Sequence, residues 1–313
     1  MKKLLALTLS LLMAFSTCLT ISADDEKYFE VNGQQYSTLA DALGAVSDNS
    51  ETTIKLIKDY ETDNDFNVES NKDIVLDLNG KNLSITRINC SGKLTIVDKD
   101  SGDDEGKINL KDTSHSGSDA HIKVNYGGTF VLESGGIINN CTSDALTIVA
   151  NGGTYASNPA YSKVIINGGY ITGKESCVGV AGYGATVDVN GGFLYVEKDA
   201  FRLANNATKS SINVTGGKFY KDISEYLTDE YKLIKSTYEQ VEVYEVVTKD
   251  ANEEATNTTS TSSTSNTSTK SYDAKDKNKD GVISCEEEMG NANWVWSESK
   301  NACVYKVTNT STK

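Results

Sequence analysis

Between residues 122 and 220 the chain repeats itself at nearly a fixed step, and few folds accommodate that. Four segments align: HIKVNYGGTFVLESGGIINN, ALTIVANGGTYASNPAYSKVIINGGYITG, CVGVAGYGATVDVNGGFLYV and AFRLANNATKSSINVTGGKFY. Their first apolar residues, Ile122, Leu146, Val178 and Phe201, are spaced by 24, 32 and 23. The long step is explained by an insertion around Ser157-Asn158-Pro159-Ala160, which carries the only proline. Weaker copies precede them in IVLDLNGKNLSI and RINCSGKLTIVDKDSGDDEGKINL. Each unit holds three short alternating stretches divided by Gly- or Asn-rich turns.

Three strands per period of about 23 residues is the signature of a parallel β-solenoid, an all-β architecture in which each coil buries its apolar face against its neighbours. Val164, Val187 and Ile212 are expected to stack in one column, with Ile166, Val189 and Val214 beside them. A third column should hold Ile171, Leu194 and Phe219. The glycine pairs 168/169, 191/192 and 216/217 suit sharp corners, and Asn167 and Asn190 are placed for a short amide ladder. A β-sandwich also has many short strands, but it does not repeat at a constant step.

The flanks close the stack. Asn32-Gly33 between two alternating runs predicts a hairpin. Thr38 with Asp41 resembles a capping box, and Leu39, Ala42, Leu43 and Val46 recur at helical spacing. At the other end, Ser224 to Tyr231 reads as a short cap helix, followed by a closing hairpin, since open solenoid ends invite pairing with other chains. The order of this Y-x-T-L-x-x-A-L helix, a V-L-D-L-N-G-K-x-L strand, successive I-N-G-G coils and T-G-G-K-F-Y-K-D-I-S-E-Y-L resembles the right-handed β-helix, pectate-lyase-like regions of secreted and surface proteins of Gram-positive gut bacteria. The resemblance covers Tyr28 to Val247. It implies a scaffold that carries lyases, hydrolases and purely adhesive proteins alike.

Lys2 and Lys3 before the apolar run Leu4 to Phe15, and the small residues up to Ala23, read as a secretory signal peptide over residues 1–23. The expected organisation is then a capped β-helix over 24–247, a Ser/Thr-rich linker over 248–272 and a C-terminal module over 273–313. Within the linker, 13 of the 16 residues 256–271 are Ser or Thr. No later stretch has the ~20 apolar residues of a membrane span. The expected location is secreted or cell-surface. A net charge of -14 with only two arginines, Arg87 and Arg202, excludes a general nucleic-acid binder. Signal cleavage would leave five cysteines, an odd number. Cys285 and Cys303, isolated together at the C-terminus, form the expected disulfide. Cys90, Cys141 and Cys177 read as small buried residues.

The C-terminal module carries the clearest chemical motif. DKNKDGVISCEE, Asp276 to Glu287, matches the EF-hand loop D-x-[DN]-x-[DN]-G-x5-E. Calcium takes six to eight hard oxygen ligands. The loop offers the side chains of Asp276, Asn278 and Asp280, the Val282 carbonyl, Ser284 and a bidentate Glu287, with Gly281 at the sharp turn. No amphipathic helix enters it and no second loop pairs with it, so it resembles a dockerin half-repeat or an extracellular calcium-binding motif. Its affinity should fall in the weak extracellular class, ~0.1–1 mM. The acidic run Asp98 to Gly106 has the wrong spacing and reads as a solvated corner.

Two functions fit the main domain. A lyase of the pectate type needs carboxylates holding calcium and a basic residue beside them. Here Arg87 and Arg202 fall on different parts of the repeat, Asp144, Asp188, Glu197 and Asp199 are scattered, and His115 and His121 lack partner spacing. No catalytic or cofactor-binding residue is therefore assigned there. Tyr126, Tyr155, Tyr161, Tyr170, Tyr183 and Tyr195 instead distribute phenols around the repeats, with Tyr126 and Tyr183 read as equivalent turn positions. The expected function is a secreted, calcium-binding, non-catalytic protein of extracellular adhesion, contacting a glycan or another cell-surface component. The alternative is a polysaccharide-active lyase or glycoside hydrolase.

Overall fold

Alternating apolar and polar residues suit strands with one face on a core, and they produce an all-β structure with long parallel sheets. The computed structural model describes residues 26–249, apart from 101–104, 112–119, 140, 142–145, 175, 197 and 239, together with strands 294–297 and 302–305. Among these residues the strands form two nine-stranded sheets, a six-stranded sheet and a separate two-stranded hairpin. The chain visits the three large sheets in a constant order. Glu51–Leu56 lies in the first, Tyr60–Glu61 in the second and Phe66–Val68 in the third, and Asp73–Asp77 returns to the first. The cycle continues to Ser211–Val214 in the first sheet and Lys218–Phe219 in the second. Each strand pairs in parallel with its counterpart one pass earlier.

The expected columns are present. Val164 pairs with Val187 and Val187 with Ile212, while Ile166, Val189 and Val214 are in register beside them. Ile171, Leu194 and Phe219 form the column on the second sheet. Val187, Val189 and Leu194 are completely buried. One alignment needs correction: Ile122 pairs with Ile148, and Leu146 pairs with Ala120. Both Leu146 and Ile148 are apolar, so the sequence did not distinguish a slip of two residues. Leu146 lies outside the main core, in a small cluster with Ala120 and Val149, and would touch any β-carbon added to Gly179.

The corner between the first and second sheets explains its glycine pairs. A β-carbon on Gly191 would sit against the carbonyl oxygen of Asn167 one coil earlier, and one on Gly216 against that of Asn190. The second glycine of each pair takes a left-handed turn, with φ of 67° at Gly169, 82° at Gly192 and 103° at Gly217. Along this corner Asn190 Nδ2 donates to Asn167 Oδ1 at 2.8 Å, and Asn167 Nδ2 donates to Glu133 Oε1 at 2.9 Å. Thr215 Oγ1 completes the ladder by donating to Asn190 Oδ1 at 2.9 Å.

Both ends carry antiparallel strands. Phe29–Val31 and Gln34–Tyr36 form the hairpin around Asn32-Gly33 and cap Glu51–Leu56. The helix Leu39–Gly44 follows, its first turn capped by Thr38 Oγ1, which accepts from the Asp41 amide at 3.1 Å. At the far end, Tyr231–Tyr238 and Val241–Thr248 form a hairpin that pairs antiparallel with Lys218–Phe219. The expected cap helix is only a 3-10 turn, Ser224–Tyr226. The Asp222 carboxylate binds the Ser224 amide at 2.8 Å and hydroxyl at 2.6 Å, and Leu227 is already extended at ψ 141°.

The chain divides into two units after Asn252. In the second, Trp294–Ser297 pairs antiparallel with Ala302–Tyr305, and Trp296 stands opposite Cys303.

Candidate functional site

A tyrosine has little steric reason to occupy the left-handed region, and Tyr126 does so at φ 55°. It shares a two-residue turn with Gly127 at φ 84° and leaves the third sheet just after Ala120–Val124. Its side chain is 83% exposed. The next coil leaves the same sheet after Leu146–Asn151 and makes the proline-containing insertion before entering Lys163–Ile166. That insertion presents Tyr155 and Tyr161, 71% and 67% exposed. These are the three most exposed large apolar side chains among the described residues, and all stand at the corner between the third and first sheets.

The corner is held by its own backbone. Gly127 N donates to Ser162 Oγ at 3.1 Å, and Lys163 N donates to Gly128 O at 2.9 Å, fastening the insertion to the Tyr126 turn. The insertion tightens at Tyr155, whose carbonyl accepts from Asn158 N at 3.0 Å. It meets the following coil through Gly153 and Tyr183, whose amides and carbonyls exchange bonds of 2.7 and 2.9 Å. The Tyr161 ring lies against Gly184, where a β-carbon would come within 3.0 Å of Cδ1. Beside Tyr126, Asn151 Nδ2 donates to Asn125 Oδ1 at 2.7 Å. Segments 125–128, 151–162, 181–185 and 204–210 contain one charged side chain, Lys209, in a chain that is 24% charged.

This geometry divides the six tyrosines. Tyr126, Tyr155, Tyr161 and Tyr183 gather at the corner. Tyr183 stands one residue later than Tyr126, because Asn151 pairs with Ala181, making Gly182 the counterpart of Tyr126. Tyr170 and Tyr195 lie instead on the outer face of the second sheet. The Tyr170 ring covers Gly136, and the Tyr195 and Tyr220 centroids are 4.6 Å apart. Phe193 and Tyr238 are 4.4 Å apart, with Lys218 Nζ 5.7 Å from the Tyr238 ring. Those rings mostly cover one another and fasten the closing hairpin. Sequence reasoning missed the Asn125–Asn151 pair, although Asn with a Gly two residues on, Gly127 and Gly153, recurs where both strands end.

Asp188, Asp98 and His121 are built into the framework. Asp188 pairs with Lys163 at 2.7 Å and accepts from Asn213 Nδ2 at 2.8 Å. Asp98 accepts the amides of Gly80 at 2.7 Å and Gly106 at 2.6 Å, so this part of the acidic run clamps backbone turns. His121 is fully buried in Ala120–Val124, its Nδ1 3.3 Å from Leu146 O. Cys90, Cys141 and Cys177 are buried, as expected. Burial pushes the Cys90 thiol up to about 12 and raises Cys177 well above the ordinary value. The calcium loop Asp276–Glu287, the side chains of Cys285 and Cys303, and the signal and linker segments lie outside the described residues, as do His115, Asp144 and Glu197. No described helix is long and apolar enough to cross a membrane.

The chain matches no family model, no curated protein and no solved structure.

Proposed function

We propose that this chain is an exported, non-catalytic protein that contacts a glycan through the tyrosine corner. The observation that carries this reading is three tyrosines, 83%, 71% and 67% exposed, fixed at one corner by backbone hydrogen bonds. Aromatic rings offer flat apolar faces to the C–H side of a pyranose, and the Asn125 and Asn151 amides stand beside them for its hydroxyls. The cyclic strand order supports a parallel β-helix, and the chirality of parallel β connections favours the right-handed form. This agrees with the pectate-lyase-like resemblance. The N-terminal segment supports export, and the loop Asp276–Glu287 supports a tethered calcium-binding tail with a Cys285–Cys303 disulfide.

The test is a glycan array probed with the protein from Asp24 onward and with a Tyr126→Ala/Tyr161→Ala variant of matched melting temperature. Retention lost in the variant supports the reading; no retention overturns it. Incubation of retained glycans separates binder from enzyme, because new reducing ends or unsaturated products would establish the alternative. Calcium titration followed by Trp294 and Trp296 fluorescence tests the tail. The expected change vanishes in Asp276→Ala and Glu287→Ala.

A further inference from the structure

We infer that the corner takes a neutral, linear β-1,4-linked polysaccharide lying along the direction in which the coils stack. This rests on the glycan-contact reading and adds the linkage, charge and orientation. Tyr126, the Tyr155–Tyr161 insertion, Tyr183 and the Asn206–Ser210 turn belong to consecutive coils at the same corner. Neighbouring strands are ~4.8 Å apart, close to the length of one pyranose in an extended β-1,4-linked chain. Such a chain presents successive sugar faces in step with the coils. An α-1,4-linked glucan curls away from a straight row.

Two further features select the ligand. The Tyr161 ring lies on Gly184 of the next coil, so it spans the junction between coils as a flat seat. The four turns carry Lys209 as their one charged side chain, in a chain of net charge -14. A polyuronate would need several cations, which this row lacks; hydroxyls need amides, which Asn125, Asn151 and Asn206 supply. Asn206 Oδ1 already accepts the Gly182 amide at 3.3 Å, holding that amide at the row.

The experiment is titration calorimetry of the full mature chain with cellobiose, cellotetraose, cellohexaose, mannohexaose, maltohexaose and hexagalacturonate. Affinity is expected to rise up to about four sugars, one per coil, and then level off. Tyr161→Ala should weaken cellohexaose about tenfold. Tyr126→Ala, at the end of the row, should move the plateau to a shorter oligomer, which a general loss of folding would not do. Circular dichroism melts confirm that both variants remain folded. Maltohexaose or hexagalacturonate binding as tightly as the better β-linked hexaose, or cellobiose as tightly as cellohexaose, overturns the inference. Array retention of only α-linked or charged glycans overturns it too while leaving the glycan-contact reading standing. Retention of none overturns both.

Discussion

Tyr126 combines two properties that stability alone does not favour: a left-handed backbone and an exposed ring. A left-handed turn costs an L-residue about 1–2 kcal/mol, and glycine avoids most of that cost. Tyr126→Gly is therefore expected to match or exceed the parent in thermal stability while weakening retention of the longer glycans. Tyr126→Val should lose about 1 kcal/mol, because a β-branched side chain is worse still at that φ. A Tyr126→Gly protein that is much less stable would mean the ring has a packing role. Cys90 makes a different residue-scale prediction. Burial holds its thiol neutral up to about 12, against an ordinary 9.0. The unfolded chain therefore ionises first as pH rises, and this thiol lowers stability between those values by up to ~1.4 kcal/mol per pH unit, with Cys177, also raised by burial, adding to the fall. Urea melts from pH 8 to 11 on Cys285→Ser/Cys303→Ser protein should show this. Native thiols in that protein should resist a disulfide reagent until denaturant is added.

Among the elements, the closing hairpin depends on contacts outside the core. Tyr238 reaches back onto Phe193, and Lys218 lies over the Tyr238 ring while pairing at 3.8 Å with Glu245. Phe193→Ala should cost about 1–2 kcal/mol and speed amide exchange in Val241–Thr248 more than in Thr186–Val189. Equal acceleration in both strands would show that the ring supports the whole stack. The hairpins and the Leu39–Gly44 helix were legible because their signals are local: Asn-Gly in one turn, Thr38 with Asp41 at one cap. The Ser224 helix was not. Ile223 is buried and Tyr226 meets Phe201 edge to face with centroids 5.0 Å apart, so tertiary packing sets that backbone over local propensity. The columns Val164–Val187 and Ile171–Leu194 were legible from period-two alternation. The tyrosine corner was only partly so, since an eleven-residue turn at 152–162 gives no periodicity from which to place Tyr155 or Tyr161.

At the largest scale, stability within residues 26–249 passes from strand to strand, since in each sheet a described strand bonds only to its immediate neighbours. The N-terminal hairpin and helix cover the first of them. Deleting residues 26–46 would free the edge of Glu51–Leu56, where Ile54 and Leu56 are completely buried. The truncated protein is expected to show a concentration-dependent mass by light scattering where the parent does not. A monodisperse truncation would mean the hairpin is dispensable. The 152–162 insertion bears on how such a chain can change over generations. It lengthens one turn, yet Phe130, Val164 and Val187 on either side remain in unbroken register. A lineage could therefore lengthen, shorten or recolour its corners one at a time without redesigning the interior. Recognition would then drift freely over a scaffold that stays still.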